Sequence, residues 1–314
     1  MRARLSPEAT AEAFASGVVA RAATRDVVVV RGPDALSYLQ GQCSQDLAPL
    51  AEGGTTDALV LSVQGKLVAL VRIWRRGPEE LVVETAAGVG EALYERLRRF
   101  KIRVKAQLEA ATWPLVEVRG PGAAEVAPPG TPGAAVPTGV PWPAVDLLGE
   151  AVEPAGALPA GDEGTFEAAR IEAGVPAMGA ELDEGTIPHE AGVVPWTVSF
   201  TKGCYTGQEL VARLDARGAR VPKVLRGLVA GPAEGGDDGA GRSSLSAGWV
   251  LRSGERELGR VTSAAWSPFR GATVALAYVR REVDPPARLE VATDEGGPVP
   301  VEVRALPLWE APGG

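Results

Sequence analysis

The stretch Thr201 to Leu214 reads T-K-G-C-Y-T-G-Q-E-L-V-A-R-L and joins a reactive side chain, loop residues and a helix start. Thr206 followed three residues later by Glu209 has the spacing of a capping box, in which the hydroxyl takes a backbone N–H and the carboxylate reaches back to the cap. A helix is therefore expected to begin near Gly207. Leu210, Val211 and Leu214 share one face at the helical period, and Gly218 stands where a left-handed C-cap would end it. Cys204 then lies just upstream of the positive end of the helix dipole and two residues from Lys202, an arrangement that favours a thiolate. Buried cysteines also act as plain space fillers, and position alone leaves both readings open.

At 314 residues the chain exceeds the size at which a single core keeps growing, so two or three domains are expected. Its two cysteines, Cys43 and Cys204, are far apart, and Met1 to Arg21 carries Glu8 and Glu12 with no long apolar run. A reducing cytoplasmic setting is the expectation, without a membrane partner. The net charge of −8 argues against a general grip on nucleic acid. A local run of Arg96, Arg98, Arg99, Lys101, Arg103 and Lys105 leaves tRNA or other RNA contact as an alternative to a solvated helix face. With His189 as the only histidine, at most three soft ligands could meet, and structural zinc takes four, so no metal site is expected.

Arg25 to Arg31 reads as a buried strand, broken by Gly32-Pro33, with Asp34 placed to cap a helix carrying Leu36 and Leu39. Gly41 to Asp46 is a candidate cleft loop. Strands are expected at Ala58 to Val63, Lys66 to Trp74 and Glu80 to Glu84, turning at Gln64-Gly65 and Gly77-Pro78, which implies an antiparallel meander. Gly90 to Phe100 carries Leu93, Leu97 and Phe100 at helical spacing and should pack on that sheet. Pro114 to Ala124 then echoes Val27 to Leu36, strand followed by Arg-Gly-Pro, as if a second domain restarted on the same plan.

Ala127 to Gly164 is rich in Pro, Gly and Ala, with one clear strand at Val145 to Leu148, and Thr165 to Gly174 is helical in pattern. The loop Val175 to Gly192 holds Glu181, Asp183, Glu184, His189 and Glu190, and its length suggests ligand contacts. Beyond Pro222, six short strands between Val224 and Leu306 suggest a small closed barrel, with Gly231 to Ala240 as a flexible loop.

The run Lys202-Gly203-Cys204-Tyr205-Thr206-Gly207-Gln208-Glu209 resembles the signature K-G-C-[YF]-x-G-Q-E of YgfZ-type proteins, the folate-binding relatives of the glycine-cleavage T-protein. Leu39-Gln40-Gly41-Gln42 with Asp46 is similar to the L-Q-G-Q-x-x-x-D of these proteins, Gly65-Lys66 to their G-[KR] turn, and Arg170, Glu172, Gly174, Gly179, Pro188, Glu190, Ala191 and Gly192 to the superfamily pattern R-x-E-x-G followed by P-x-E-A-G. The resemblance implies an α+β fold, a three-domain ring of the T-protein type: an N-terminal α+β domain (1–112), a second α+β domain with the signature loop (113–220), the chain being free to cross between these two, and a C-terminal β-barrel (221–314).

It also implies a central pocket for tetrahydrofolate or a derivative, with Arg170, Glu172 and Glu190 as folate-binding residues. A carboxylate suits a 2-amino-pyrimidinone edge because it accepts two N–H bonds. Cys204 is the implied functional thiol, in support of iron-sulfur cluster assembly or repair together with the assembly machinery or its client enzymes. Sulfur-dependent tRNA modification would be affected downstream. One departure separates the chain from the aminomethyltransferases: the aspartate pair expected after the Gly-Gly turn is replaced by Ala69 and Leu70, and neither can act as a general base or stabilise an iminium.

Overall fold

The computed structural model describes residues 4–127, 131–152, 158–231, 245–293 and 297–309. Helix α1 (Pro7–Ser16) leads into strand β1 (Val19–Arg31) and helix α2 (Ala35–Gln40). The expected meander follows as β2 (Thr55–Leu61), β3 (Leu67–Gly77) and β4 (Glu80–Ala86), then α3 (Gly90–Arg99), β5 (Gln107–Arg119), α4 (Ala123–Val126), β6 (Ala134–Ala135) and β7 (Ala144–Leu148). All seven strands form one sheet in the order β2-β3-β4-β1-β5-β7-β6. β1 and β5 pair along their whole length, from Val19 opposite Arg119 to Arg31 opposite Gln107.

The expected division at 112/113 therefore falls inside a strand. Cutting there would separate strands hydrogen-bonded to one another, since β1 joins β4 on one side and β5 on the other. The echo between the two halves is present as geometry: β1 runs through a turn into α2, and β5 runs through a turn into α4. Asp34 does not cap its own helix; its carboxylate instead accepts from the Lys105 amide at 2.7 Å, tying the α2 turn to the approach of β5.

Alternation along the strands gives the sheet two unlike faces. One carries Val28, Val30, Ala69, Val71, Ile73, Leu81 and Val83, and packs on Tyr38 and Leu39 of α2 and Leu93 and Leu97 of α3. The opposite face carries Val27, Val29, Trp74, Val82 and Leu115 beside a band of charged residues that faces the middle of the molecule.

Helix α5 (Glu163–Ala173) is capped by Asp162, whose carboxylate accepts from the Thr165 amide, and ends at Gly174 in the left-handed region, φ 73°. Short α6 (Val194–Thr197) and α7 (Gln208–Ala216) follow. The last six strands, β8 (Lys223–Ala230), β9 (Val250–Ser253), β10 (Arg256–Ser267), β11 (Ala272–Arg280), β12 (Ala287–Ala292) and β13 (Val299–Arg304), close into a barrel in the order β10-β11-β8-β13-β12-β9. Helix α5 packs on it through Ala168 and Ile171 against Leu225, Val274 and Leu276. The glycine-rich loop expected from Gly231 to Ala240 lies, beyond Gly231, outside the described residues, as do 128–130 and 153–157 of the Pro/Gly-rich segment.

Candidate functional site

A cavity of about 320 Å³ opens between the charged face of the sheet, α5 and the segment after it. Phe14, Trp142 and Phe166 form an aromatic wall, with edge-to-face contacts from Phe14 to Trp142 at 5.5 Å and to Phe166 at 5.1 Å. The floor holds Arg21, Arg25, Arg72 and Arg119 against Asp57, Glu84, Glu117 and Asp146. Strand register orders these charges. Asp57, Arg72 and Glu84 stand opposite one another across β2, β3 and β4, and Arg21, Glu117 and Asp146 do so across β1, β5 and β7.

Asp146 accepts from Arg72 at 2.8 Å and from Arg119 at 2.7 Å, while Arg119 also reaches Glu117 at 3.3 Å. Burial alone would push the Asp146 carboxyl up, but Arg119 and Arg72 outweigh it and hold the pKa down at about 2. For Glu84 burial wins over Arg72 and Arg25, and its pKa is raised, although Trp74 Nε1 donates to it at 2.8 Å. Four cations and four carboxylates thus cancel, which is the condition for keeping charges on a desolvated floor.

Of the three residues expected to bind folate, Arg170 lines this cavity, and Glu172 and Glu190 do not. The Arg170 guanidinium donates to Glu181 at 3.0 Å, to Glu167 at 2.6 Å and to Ser263 Oγ at 2.7 Å. Glu172 is buried between α5 and the barrel, where its carboxylate accepts from Ser267 Oγ and faces Arg270 Nε at 3.6 Å. Glu190 pairs with Lys223 at 3.7 Å, and burial raises its pKa. The acidic loop thus meets the cavity through Val175, Pro176, Ala177 and Met178, while Glu181, Asp183 and Glu190 fold the loop onto itself and the barrel. Asp183, for instance, accepts from the Gly185 amide at 2.8 Å and from Thr186 Oγ1 at 2.7 Å. Leu70 lines the cavity, and Ala69 lies in the core on the other face of the sheet.

The signature loop lies apart, packed on the β2–β3 hairpin through Tyr205 and Val211 against Leu59, Leu61 and Leu67. Lys202 Nζ donates to three backbone carbonyls, Gln40 at 2.6 Å, Cys43 at 2.8 Å and Gln45 at 2.8 Å. Its ammonium is therefore committed to the 40–45 loop. The expected capping box is absent. Gly207 occupies the N-cap at φ 85°, Gln208 Oε1 accepts from the Tyr205 amide at 3.2 Å, and Glu209 points to solvent and pairs with Arg213. Glycine is required at 207 because an added Cβ would sit 2.4 Å from the Ser62 carbonyl oxygen and 3.3 Å from Gly65 Cα. Within this anchored loop Cys204 is exposed, whereas Cys43 is buried and its pKa is pushed up to about 11 by burial.

The Gln40-to-Asp46 segment serves as the platform: Gln40 Nε2 donates to Asp46 at 2.8 Å, and the Leu47 amide returns a bond to Gln40 Oε1 at 2.8 Å. The charged cavity floor has no contiguous motif in the sequence. Its signal was nonetheless present as single charged residues inside apolar strands, Glu117 between Val116 and Val118 and Asp146 between Val145 and Leu147. Among the described residues there is no group of three or more His, Cys, Asp or Glu placed to hold a metal ion, and no helix is long and apolar enough to cross a membrane.

Residues 238–310 match the glycine cleavage T-protein C-terminal barrel domain. The chain is 31% identical to an aminomethyltransferase from Rubrobacter xylanophilus, over 90% of this chain and 80% of that protein. It is 28% identical to a mitochondrial iron-sulfur cluster assembly factor IBA57 homolog from Chaetomium globosum, over 69% of this chain and 58% of that protein. The crystal structure of glycine cleavage system aminomethyltransferase T from Bartonella henselae superposes with a TM-score of 0.81 over 97% of this chain and 90% of that one, at 18% identity. The fold is of that type: an antiparallel sheet, helices and a closed six-stranded C-terminal barrel.

Proposed function

Because the chain belongs to the glycine-cleavage T-protein superfamily, we propose that it is a folate-binding accessory protein that supports iron-sulfur cluster assembly or repair through Cys204, with an indirect effect on tRNA modification. The observation that carries this reading is the display of the thiol. Lys202, Tyr205, Gly207 and Gln208 are all tied into the fold, and Cys204 alone among the reactive groups of the loop is left facing solvent. An exposed thiol can meet a cluster or a partner's sulfur, and a buried filler cannot. The likeness to a relative named as an iron-sulfur cluster assembly factor supports the same direction.

The cavity suits a reduced folate. Its aromatic wall can take a flat ring, and Trp142 Nε1, buried without an acceptor among the described residues, is a donor in need of one. Arg170 would line the bound ligand, with Glu172 and Glu190 holding the α5 end and the following loop in place against the barrel. A bound folate supplies a nitrogen that carries one-carbon units. The floor carboxylates Asp57, Glu84, Glu117 and Asp146 are each paired with an arginine and Leu70 adds no further acceptor, which argues for binding without turnover.

Titration with tetrahydrofolate, paired with complementation by Cys204→Ser, tests the reading. Both proteins are expected to bind folate saturably, and cells carrying only the variant to lose iron-sulfur enzyme activity; full complementation by the variant would sink the thiol role. The second reading, a tetrahydrofolate-dependent aminomethyltransferase or demethylase, is favoured by the 31% identity to an aminomethyltransferase. One-carbon transfer at an enzymatic rate with glycine-cleavage components or methylated amines would establish it instead.

A further inference from the structure

A second, open groove of about 930 Å³ runs between helix α3 and the turn joining β2 to β3, with Val63, Lys66, Arg96, Arg98, Arg99 and Phe100 in its lining. Arg96 is buried and locked. Nε donates to the Leu61 carbonyl at 2.7 Å, Nη1 to Gln42 Oε1 at 3.0 Å, and the guanidinium lies over the Phe100 ring at 4.3 Å. Arg96 thus holds the wall of the groove in place from inside, its Nη2 buried and without an acceptor among the described residues. Lys66 and Arg99 on the rim are exposed and form no ion pair among the described residues. Apolar atoms lie beside these charges: Val63 is 58% exposed, and Ile102, two residues past Phe100, is 73% exposed.

We propose that this groove docks an acidic segment of a partner protein, its carboxylates facing Lys66 and Arg99 and an apolar side chain resting on Val63 and Phe100. Two features favour a polypeptide over RNA. Glu95 and Glu184 are also in the lining, and a phosphodiester chain, charged at every nucleotide, would have to pass them. A peptide can set acidic residues against the cations and neutral ones against the glutamates, and it makes use of exposed Val63, which a phosphate backbone does not. The groove also adjoins the signature loop, since the Ser62 carbonyl packs where a Gly207 Cβ would be, three residues from Cys204. A segment seated there would hold its protein beside the thiol.

The probe is a fluorescein-labelled peptide of alternating glutamate and leucine, followed by anisotropy at low salt. The proposal expects saturable binding, weakened about tenfold by Lys66→Glu with Arg99→Glu and by replacing the peptide glutamates with glutamine. Both substituted side chains are exposed, and a circular dichroism melt checks that the double variant folds. Cys204→Ser should bind the peptide as the wild type does, which separates this surface from the thiol chemistry. Absence of peptide binding, insensitivity to the double variant, or tighter binding of oligouridylate than of the peptide overturns the proposal.

Discussion

Replacing Lys202 with methionine tests whether the signature lysine is an anchor. The side chain keeps its length but loses an ammonium that donates to the carbonyls of Gln40, Cys43 and Gln45 at 2.6, 2.8 and 2.8 Å. A hydrogen bond to a charged group contributes about 1.5–3 kcal/mol. Burial lowers the Lys202 pKa, so part of this gain is offset by desolvation, and the partly exposed loop recovers water when the contact is lost. About 2–3 kcal/mol of local stability remains, which corresponds to roughly 30- to 150-fold in the population of the opened loop.

Cys43 reports that opening, because its thiol is fully buried under the same loop. In a Cys204→Ser background, labelling of Cys43 by a thiol reagent under native conditions should accelerate by that factor in Lys202→Met. Lys202→Arg should fall between, since a planar fork does not reproduce a point charge shared by three carbonyls. Unchanged labelling of Cys43 in Lys202→Met would refute the anchoring argument and return Lys202 to the role of a charge acting on Cys204.

Gly207→Ala should destabilise the protein by more than about 2 kcal/mol in a urea titration, through the left-handed backbone and the approach to the Ser62 carbonyl; a loss under about 0.5 kcal/mol would contradict the packing. Asp146 has a folded pKa of about 2, below its ordinary value of 3.8, so its stabilisation is present above about pH 4 and is lost as pH falls toward 2. Urea midpoints should show about 2 kcal/mol more loss across that interval in the wild type than in Asp146→Asn. At neutral pH that variant should itself be destabilised by about 3 kcal/mol, because Arg72 and Arg119 lose the charge that compensates their burial. Glu172→Ala should loosen α5 from the barrel, raising amide exchange at Leu308 and Trp309, whose N–H groups donate to the Glu172 carbonyl; unchanged exchange there would argue against a linking role for Glu172.

Local pattern was enough for the meander, for α3 and α5 and for the six barrel strands, because each buries one face at its own period and is bounded by Gly or Pro. It fell short where an element depends on a distant partner. Val19 to Thr24 is the polar-alternating half of β1, and it is strand only because residues 114–119 of β5 lie beside it. The first half of β5 depends in the same way on β1. The pairing of two distant strands is also why a boundary at 112/113, plausible from local texture, falls within a single sheet.

By itself the sequence determined the chemical identity of the signature loop and the order of the elements. Which groups are engaged and which remain open was decided by the tertiary structure. Lys202 is separated from the Gln40 to Gln45 carbonyls by about 160 residues, and Glu172 from Ser267 by 95, distances along the chain that no local periodicity spans. Packing across those distances turned the lysine into an anchor, the glutamate into a link to the barrel, and left Cys204 exposed. The same strand register gathered eight charged residues from six strands onto one cavity floor, where each is tolerable only because the others neutralise it.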